Sequence, residues 1–421
     1  MKHGEALTNE QVERLVDRRV EERLVELMEG SGRVPDAIRE GVSRREAMAM
    51  AAGGVAGYGI STLVGPSGSG GGTIVGEDDG EDGETSAADL QRALEESSVV
   101  RIAGEIDVSG EIPIRIPQNT ILCGDGVYRQ ALDAIGGDGL RAADEGPIVE
   151  VAGNDTQITG LALVNTADGG DAIRMTGYTG RVSHTDLYAG RYGINCNPNE
   201  TTTEPRLNFN RVLSTTGADG ESVGIRIENM NDAKVINNIV AGFDTEIVVN
   251  QESAIVSLNH TYTHPASDSA VGIRIGAPAV RVVNNRIEGE SNRAGIEITA
   301  SERSIVSQNL VQVPSGADGI RLDIGSELAN SFLAYNQIEG FSSDDPAGTA
   351  VAAPGVEAFY RSVVGPNAAR YFDAEGLTGV VEAAGAGGTP SANRYFTYQP
   401  VENIDDDSLW MKARQGMYRI A

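Results

Sequence analysis

The stretch Val271-Gly-Ile-Arg-Ile-Gly-Ala-Pro-Ala-Val-Arg-Val-Val-Asn-Asn285 holds two short apolar runs, the second ending in asparagine. The same pair recurs along the chain. Gly224-Ile-Arg-Ile, Gly272-Ile-Arg-Ile, Gly295-Ile-Glu-Ile and Gly319-Ile-Arg-Leu repeat the first run, with Asp171-Ala-Ile-Arg-Met and Gly193-Ile-Asn-Cys as earlier copies and Glu246-Ile-Val-Val filling a gap. The second run ends at Asn238, Asn259, Asn285, Asn309 and Asn336, at intervals of 21, 26, 24 and 27 residues. A period of this length with two or three short strands per repeat predicts one coil of a parallel β-helix. Alternating Ile and Val point inward and stack from coil to coil. Asparagine holds the bend, where αL backbone is tolerated, and bonds to asparagines of neighbouring coils. A βαβ unit needs more residues, a leucine-rich repeat needs a leucine consensus, and a β-sandwich would not keep the spacing.

Upstream, Asp89–Gly126 reads DLQRALEESSVVRIAGEIDVSGEIPIRIPQNTILCGDG. A capping-box start at Ser86 opens a short amphipathic helix there. With Ile116-Pro-Gln-Asn-Thr-Ile-Leu-Cys-Gly124 and the coils that follow, residues 86–345 resemble right-handed parallel β-helix proteins of the pectate-lyase-like superfamily. The resemblance implies that the helix caps the open end of the coil stack. It implies a fold rather than an activity, because that superfamily holds lyases, hydrolases, viral tailspikes and inert scaffolds.

The expected class is mostly β: a right-handed parallel β-helix with an N-terminal α-helical anchor and a small C-terminal β module. The anchor comprises an amphipathic or coiled-coil helix over 1–32 and an Ala/Gly-rich apolar helix over 33–65. A flexible acidic linker follows over 66–85, the β-helix over 86–345 and a β-rich capping or tip module over 346–421. In the last, DSLWMKARQGMYRIA predicts a hairpin turning near Gln415-Gly416.

Val42–Gly65, VSRREAMAMAAGGVAGYGISTLVG, carries Arg44 and Arg45 before an uncharged run. It has the form of a twin-arginine export signal, yet a long amphipathic helix precedes it and no A-x-A site follows. As a membrane span it is poor in large apolar residues. Gly53 and Gly57, spaced for close helix contact, suit an assembly anchor. A charged helix, then Ser-Arg-Arg-x-Ala and an Ala/Gly run, then a Gly/Ser linker, resembles structural proteins of haloarchaeal viruses over residues 8–72. That resemblance implies a virion surface protein (tail fibre, spike or turret), contacts with other virion proteins through residues 1–65, and a host-surface glycan or glycoprotein as target; resemblance to tailspikes implies a homotrimer. The alternative is an exported or envelope-anchored, extracellular β-helix that binds or cleaves polysaccharide.

Composition agrees with a saline setting. The 421 residues carry 61 Asp+Glu against 33 Lys+Arg, a formal net charge of −28, and lysine occurs only at Lys2, Lys234 and Lys412. Such a surface disfavours nucleic acid. Outward positions of the aligned strands are Arg174, Asn195, Arg226, Arg274, Glu297 and Arg321, a mostly cationic stripe. It fits a groove for anionic glycans, a subunit contact, or a solvated face whose charges recur with each coil. Asp168, Asp171, Asp219, Asp268 and Asp318 fall in loops along one edge, as turn residues or as a carboxylate pair acting on sugar. Tyr188, Tyr192 and Tyr262 can stack on sugar rings or anchor loops. His260 and His264 are spaced for a helix but fall on a coil edge, which argues against zinc. Cys123 and Cys196 read as small buried residues. No catalytic, metal or cofactor motif is expected.

Overall fold

In the computed structural model the described residues are 73–76, 85–125, 137–216, 221–263, 270–289, 293–300, 302–324 and 327–341, with shorter pieces at 349–370 and 399–419. They fall in one unit, Gly72–Ala421. Residues 1–65, with Arg44, Arg45, Gly53 and Gly57, lie outside them.

Three stacked sheets run the length of the unit. Sheet A has 12 strands, from Thr73–Val75 to Val363–Val364; sheet B has 14, from Glu105–Asp107 to Gly416–Arg419; sheet C has 10, from Ile114–Ile116 to Val351–Ala352. Successive turns of the chain add one strand to each sheet, and pairing is parallel until the C-terminal strands. The protein is a mostly-β parallel solenoid. Leu409–Ala413 and Gly416–Arg419 form the expected antiparallel hairpin, joined to Gln399–Glu402, which pairs parallel to Ala368–Arg370 and so continues sheet B. Thr73–Val75, within the stretch read as linker, pairs with Val100–Ile102, and parallel strands continue past residue 345.

Register explains the core. Sheet A stacks Val100, Leu122, Ile158, Val182, Leu207, Val235, Val256, Val282, Val306 and Leu333 in one buried column. Sheet C stacks Ile173, Ile194, Ile225, Ile247, Ile273, Ile296 and Ile320. Burying each such side chain contributes roughly 1.5–3 kcal/mol. Helix α1, Ala87–Glu96, is capped by Ser86 and buries Ala87, Leu90, Ala93 and Leu94. Its Gln91 takes both backbone groups of Arg115, at 3.1 and 2.9 Å, on the first strand of sheet C. An otherwise open strand edge is thereby satisfied, as expected of a capping helix.

The asparagines form a ladder between sheets A and B. From Asn210 through Asn238, Asn259, Asn285, Asn309 and Asn336 to Asn367, each Nδ2 donates to the next Oδ1 at 2.9–3.0 Å. Each backbone N–H from Asn210 to Asn336 donates to the same oxygen at 2.9–3.1 Å. From Asn210 to Asn336 the αL residue is the one before the ladder asparagine, not the asparagine itself. Phe209, Asn237, Leu258, Asn284, Gln308 and Tyr335 all have φ of +56° to +62°. The amide must stay buried to bond along the stack, so the exposed residue ahead of it absorbs the turn, at roughly 1 kcal/mol each.

The repeated glycines have a steric reason. A Cβ on Gly193, Gly224, Gly272, Gly295 or Gly319 would collide with Val212, Val240, Ile287, Val311 or Ile338 of sheet B. One turn breaks the pairing: Glu246 takes the glycine position, and Thr261 stands in the sheet B column between Val240 and Ile287. Glu246 is fully buried; its Oε1 accepts from Gly242 and Phe243 N–H at 3.1 and 3.3 Å, and its Oε2 has no partner. Burial holds this carboxyl well above the usual range. The unfolded chain releases that proton first as pH rises through about 4.3, so Glu246 lowers stability above that pH until it ionises in the folded state. Glu246→Gln is expected to gain about 1–3 kcal/mol at pH 7 and almost nothing at pH 4. Denaturant melts across that range read the difference, and a gain independent of pH would refute a neutral buried acid.

Cys123 and Cys196 are separate, buried thiols, the latter 3.6 Å from the Met175 sulfur.

Candidate functional site

Between the inward isoleucines of sheet C, one column points outward. In strand order it reads Arg115, Glu150, Arg174, Asn195, Arg226, Val248, Arg274, Glu297, Arg321, Ala352. The structure therefore brings Arg174, Arg226, Arg274 and Arg321 onto one face. The stripe is less cationic than its residue list suggests, because carboxylates fill it in. Arg115 Nε lies 3.3 Å from Glu150, Arg226 Nη2 2.7 Å from Glu228, Arg274 Nε 2.7 Å from Glu297 and Arg321 Nη1 2.8 Å from Asp318. Arg293 adds a second 2.7 Å contact to Glu297. Arg174 differs: half-buried, it has no hydrogen bond or ion pair among the described residues. On the next strand Asn195, only 8% exposed, keeps an Oδ1 with no partner.

Tyr192 stands beside these two. Its ring lies 4.9 Å from the Arg191 guanidinium and 5.3 Å from that of Arg226, whose Nη1 also donates to its hydroxyl at 3.0 Å. Arg191 grips Asp171 through two bonds of 2.9 and 3.0 Å. Burial nevertheless pushes the Asp171 carboxyl up, with Arg191 pulling the other way. The hydrogen bond to Asp171 in turn raises Arg191. The patch is thus a set of guanidinium donors held in place around one aromatic ring.

Other expected residues fare differently. Tyr188 is fully buried with Ala162, Val164 and Leu213 on the outer side of sheet B, so it cannot stack on a sugar. Its position faces away from the solenoid core, which from sequence alone looks exposed. Asp318 starts its strand, Asp171 is second in its own, and both are engaged by arginines, which argues against a free carboxylate pair. Asp268 and Asp219 lie outside the described residues. Tyr262, 39% exposed, stands on sheet B edge-on to His260, whose Nε2 is 3.3 Å from Glu288 Oε2; Arg286 also pairs with Glu288. Sequence reading missed Arg191 and Arg293. Each stands three residues before an inward isoleucine, a position that reads as loop. Among the described residues no group of three His, Cys, Asp or Glu could hold a metal, and no helix is long and apolar enough to cross a membrane.

No protein-family model matches the chain, and no curated protein sequence does. Solved structures do. DFA-IIIase of Arthrobacter chlorophenolicus A6 aligns with 69% of this chain and 94% of its own, at 12% identity and a TM-score of 0.51. The A-module of mannuronan C-5 epimerase AlgE6 of Azotobacter vinelandii aligns with 68% of this chain and 90% of its own, at 14% identity and a TM-score of 0.50. The chain shares their parallel β-solenoid fold. The Dettilon tailspike protein aligns with 68% of this chain and 59% of its own, at 11% identity and a TM-score of 0.49. At these identities the likeness is one of fold alone.

Proposed function

We propose that this protein is a surface-attachment solenoid that binds polysaccharide on the outer face of sheet C. The observation that carries it is the patch of Arg174, Tyr192 and Arg226 on one face: a guanidinium with no hydrogen bond or ion pair among the described residues, though Asp171 lies within its electrostatic reach, beside a ring held by two further guanidinium groups. Sugars offer complementary groups: hydroxyls to donate and accept, and carboxylates or sulfates for arginine. A fold neighbour named for its action on mannuronan is compatible with a polysaccharide partner. The stiff stack suits a projecting element. Its setting, in our reading, is the virion surface as spike, tail fibre or turret, with residues 1–65 held by other virion proteins, a homotrimeric assembly, and a host-surface glycan or glycoprotein as target. The resemblance of residues 8–72 and the net charge of −28 support that setting.

The test is peptide mapping of purified particles and of host-surface fractions, with intact mass. Residues 1–65 present in particles is the expected result. A mature chain beginning after Gly65 in the medium or on the envelope would sink the virion setting. A second reading, polysaccharide cleavage by an exported protein, draws on the His260–Glu288 contact beside Tyr262, where an imidazole is oriented by a carboxylate. It predicts new chain ends released from a host polysaccharide, lost in His260→Gln.

A further inference from the structure

The outward column of sheet C has a beat of two. Arginine stands on the first, third, fifth, seventh and ninth of its ten strands, and never on those between. Neighbouring strands are about 4.8 Å apart, so the guanidinium groups recur at about 9.6 Å. The strands between the arginines are not alike. Toward the two ends they carry Glu150 and Glu297; in the middle, Asn195 and Val248. The central run is therefore Arg174, Asn195, Arg226, Val248, Arg274, with no acidic residue in the column from one end to the other. Within the column itself five arginines stand against two glutamates, while Glu228 and Asp318 pair with Arg226 and Arg321 from beside it.

An extended glycan with a two-fold twist advances per sugar by about one strand spacing, and turns every second ring the same way. Laid along the solenoid axis, such a chain presents like groups at the interval at which the arginines recur. Resting on the reading of this chain as a polysaccharide binder, we propose that the sheet C face takes an axis-parallel polysaccharide with one anionic group per disaccharide directed at the protein. The anions sit at Arg174, Arg226 and Arg274. The sugar between the first two lies over Asn195, an uncharged and largely covered position. The next lies over Val248, an uncharged and largely covered position. Glu150 and Glu297 mark the two ends of the acid-free run and so the length of the site.

Calorimetry of the full-length chain at low, fixed ionic strength decides it. The probes are hyaluronan oligosaccharides, with a carboxylate on alternate sugars; oligogalacturonates, with one on each; and neutral cello-oligosaccharides. Hyaluronan affinity is expected to climb until three carboxylates are present and then level off. Arg174→Gln and Arg226→Gln should each weaken it about tenfold and flatten its salt dependence. Arg181→Gln, exposed on sheet A, should do neither. Val248→Arg should shift preference toward oligogalacturonate by breaking the beat. Hyaluronan binding that ignores Arg174 and Arg226, or equal preference for both anionic probes in parent and Val248→Arg alike, would overturn the proposal. Binding of neutral glycans only would also overturn it while leaving the polysaccharide reading standing. Binding of no glycan, with a changed oligomeric state in Arg226→Gln, would overturn both and assign the face to a subunit contact.

Discussion

Replacing Asn285 with aspartate is expected to destabilise the solenoid by about 3–5 kcal/mol, although the two side chains have the same shape. Asn285 Oδ1 accepts from Asn259 N and Nδ2 at 2.9 and 3.0 Å. Its Nδ2 donates to Val256 O, Val283 O and Asn309 Oδ1 at 3.0, 3.2 and 3.0 Å. An aspartate oxygen in place of Nδ2 would face three acceptors with nothing to donate, in a site only 2% exposed. It must either stay charged without a partner or take up a proton, so the penalty should shrink as pH falls. Asn285→Ala should cost about 2–3 kcal/mol by orphaning the Asn259 donors. Denaturant melts together with hydrogen exchange at the ladder amides read both effects, because opening in a solenoid is local as well as global. An aspartate variant within about 1 kcal/mol of the parent at pH 7 would show that the ladder only accompanies the fold.

Gly295→Val should cost about 3 kcal/mol. A Cβ there runs into Val311 Cγ1 and comes within 2.9 Å of the Gly319 carbonyl oxygen. Val311 belongs to the fully buried column of sheet B, so it has no free space to retreat into. Because the clash is with one named side chain, it should be relieved in part by shortening that chain. Gly295→Ala combined with Val311→Ala is expected to cost at least 1 kcal/mol less than the sum of the two single changes. Strict additivity would mean that the carbonyl, not the valine, dictates glycine.

The coils were legible because inward and bonding positions recur with little interruption: Ile273, Ile296 and Ile320, or Asn285, Asn309 and Asn336, need no tertiary knowledge to be aligned. The ladder's outer members escaped. Asn367 comes 31 residues after Asn336, and Asn210 comes 28 before Asn238, beyond the intervals that defined the period. Position within the bend also escaped, since Asn237-Asn238 and Asn284-Asn285 put the same residue type on both sites, whereas Phe209, Leu258 and Tyr335 reveal which one turns. On the face of sheet C the arginines were readable from strand alternation. Their counter-charges were not, because Glu150 opposite Arg115, or Glu297 opposite Arg274, depends on how the intervening loops set one coil on the next. The beat of two emerges only once Val248, in a coil without the glycine signature, is placed in the column. Tyr188 misled for a related reason: alternation tells which side of a sheet a residue faces, not what covers that side.

The asparagine ladder bears on how such a molecule can change its reach. From Asn210 to Asn367 successive coils dock through the same amide and, the Glu246 coil apart, the same inward columns, so coils there are close to interchangeable parts and the length of the solenoid is a matter of how many are strung together. Duplicating one coil would lengthen the solenoid by about 4.8 Å without a new kind of contact. The arginines restrict that freedom. An odd number of added coils within the column would set two arginines side by side or leave a gap between them, whereas an even number preserves the spacing. A lineage that tunes the length of this protein while keeping its face must therefore count in twos.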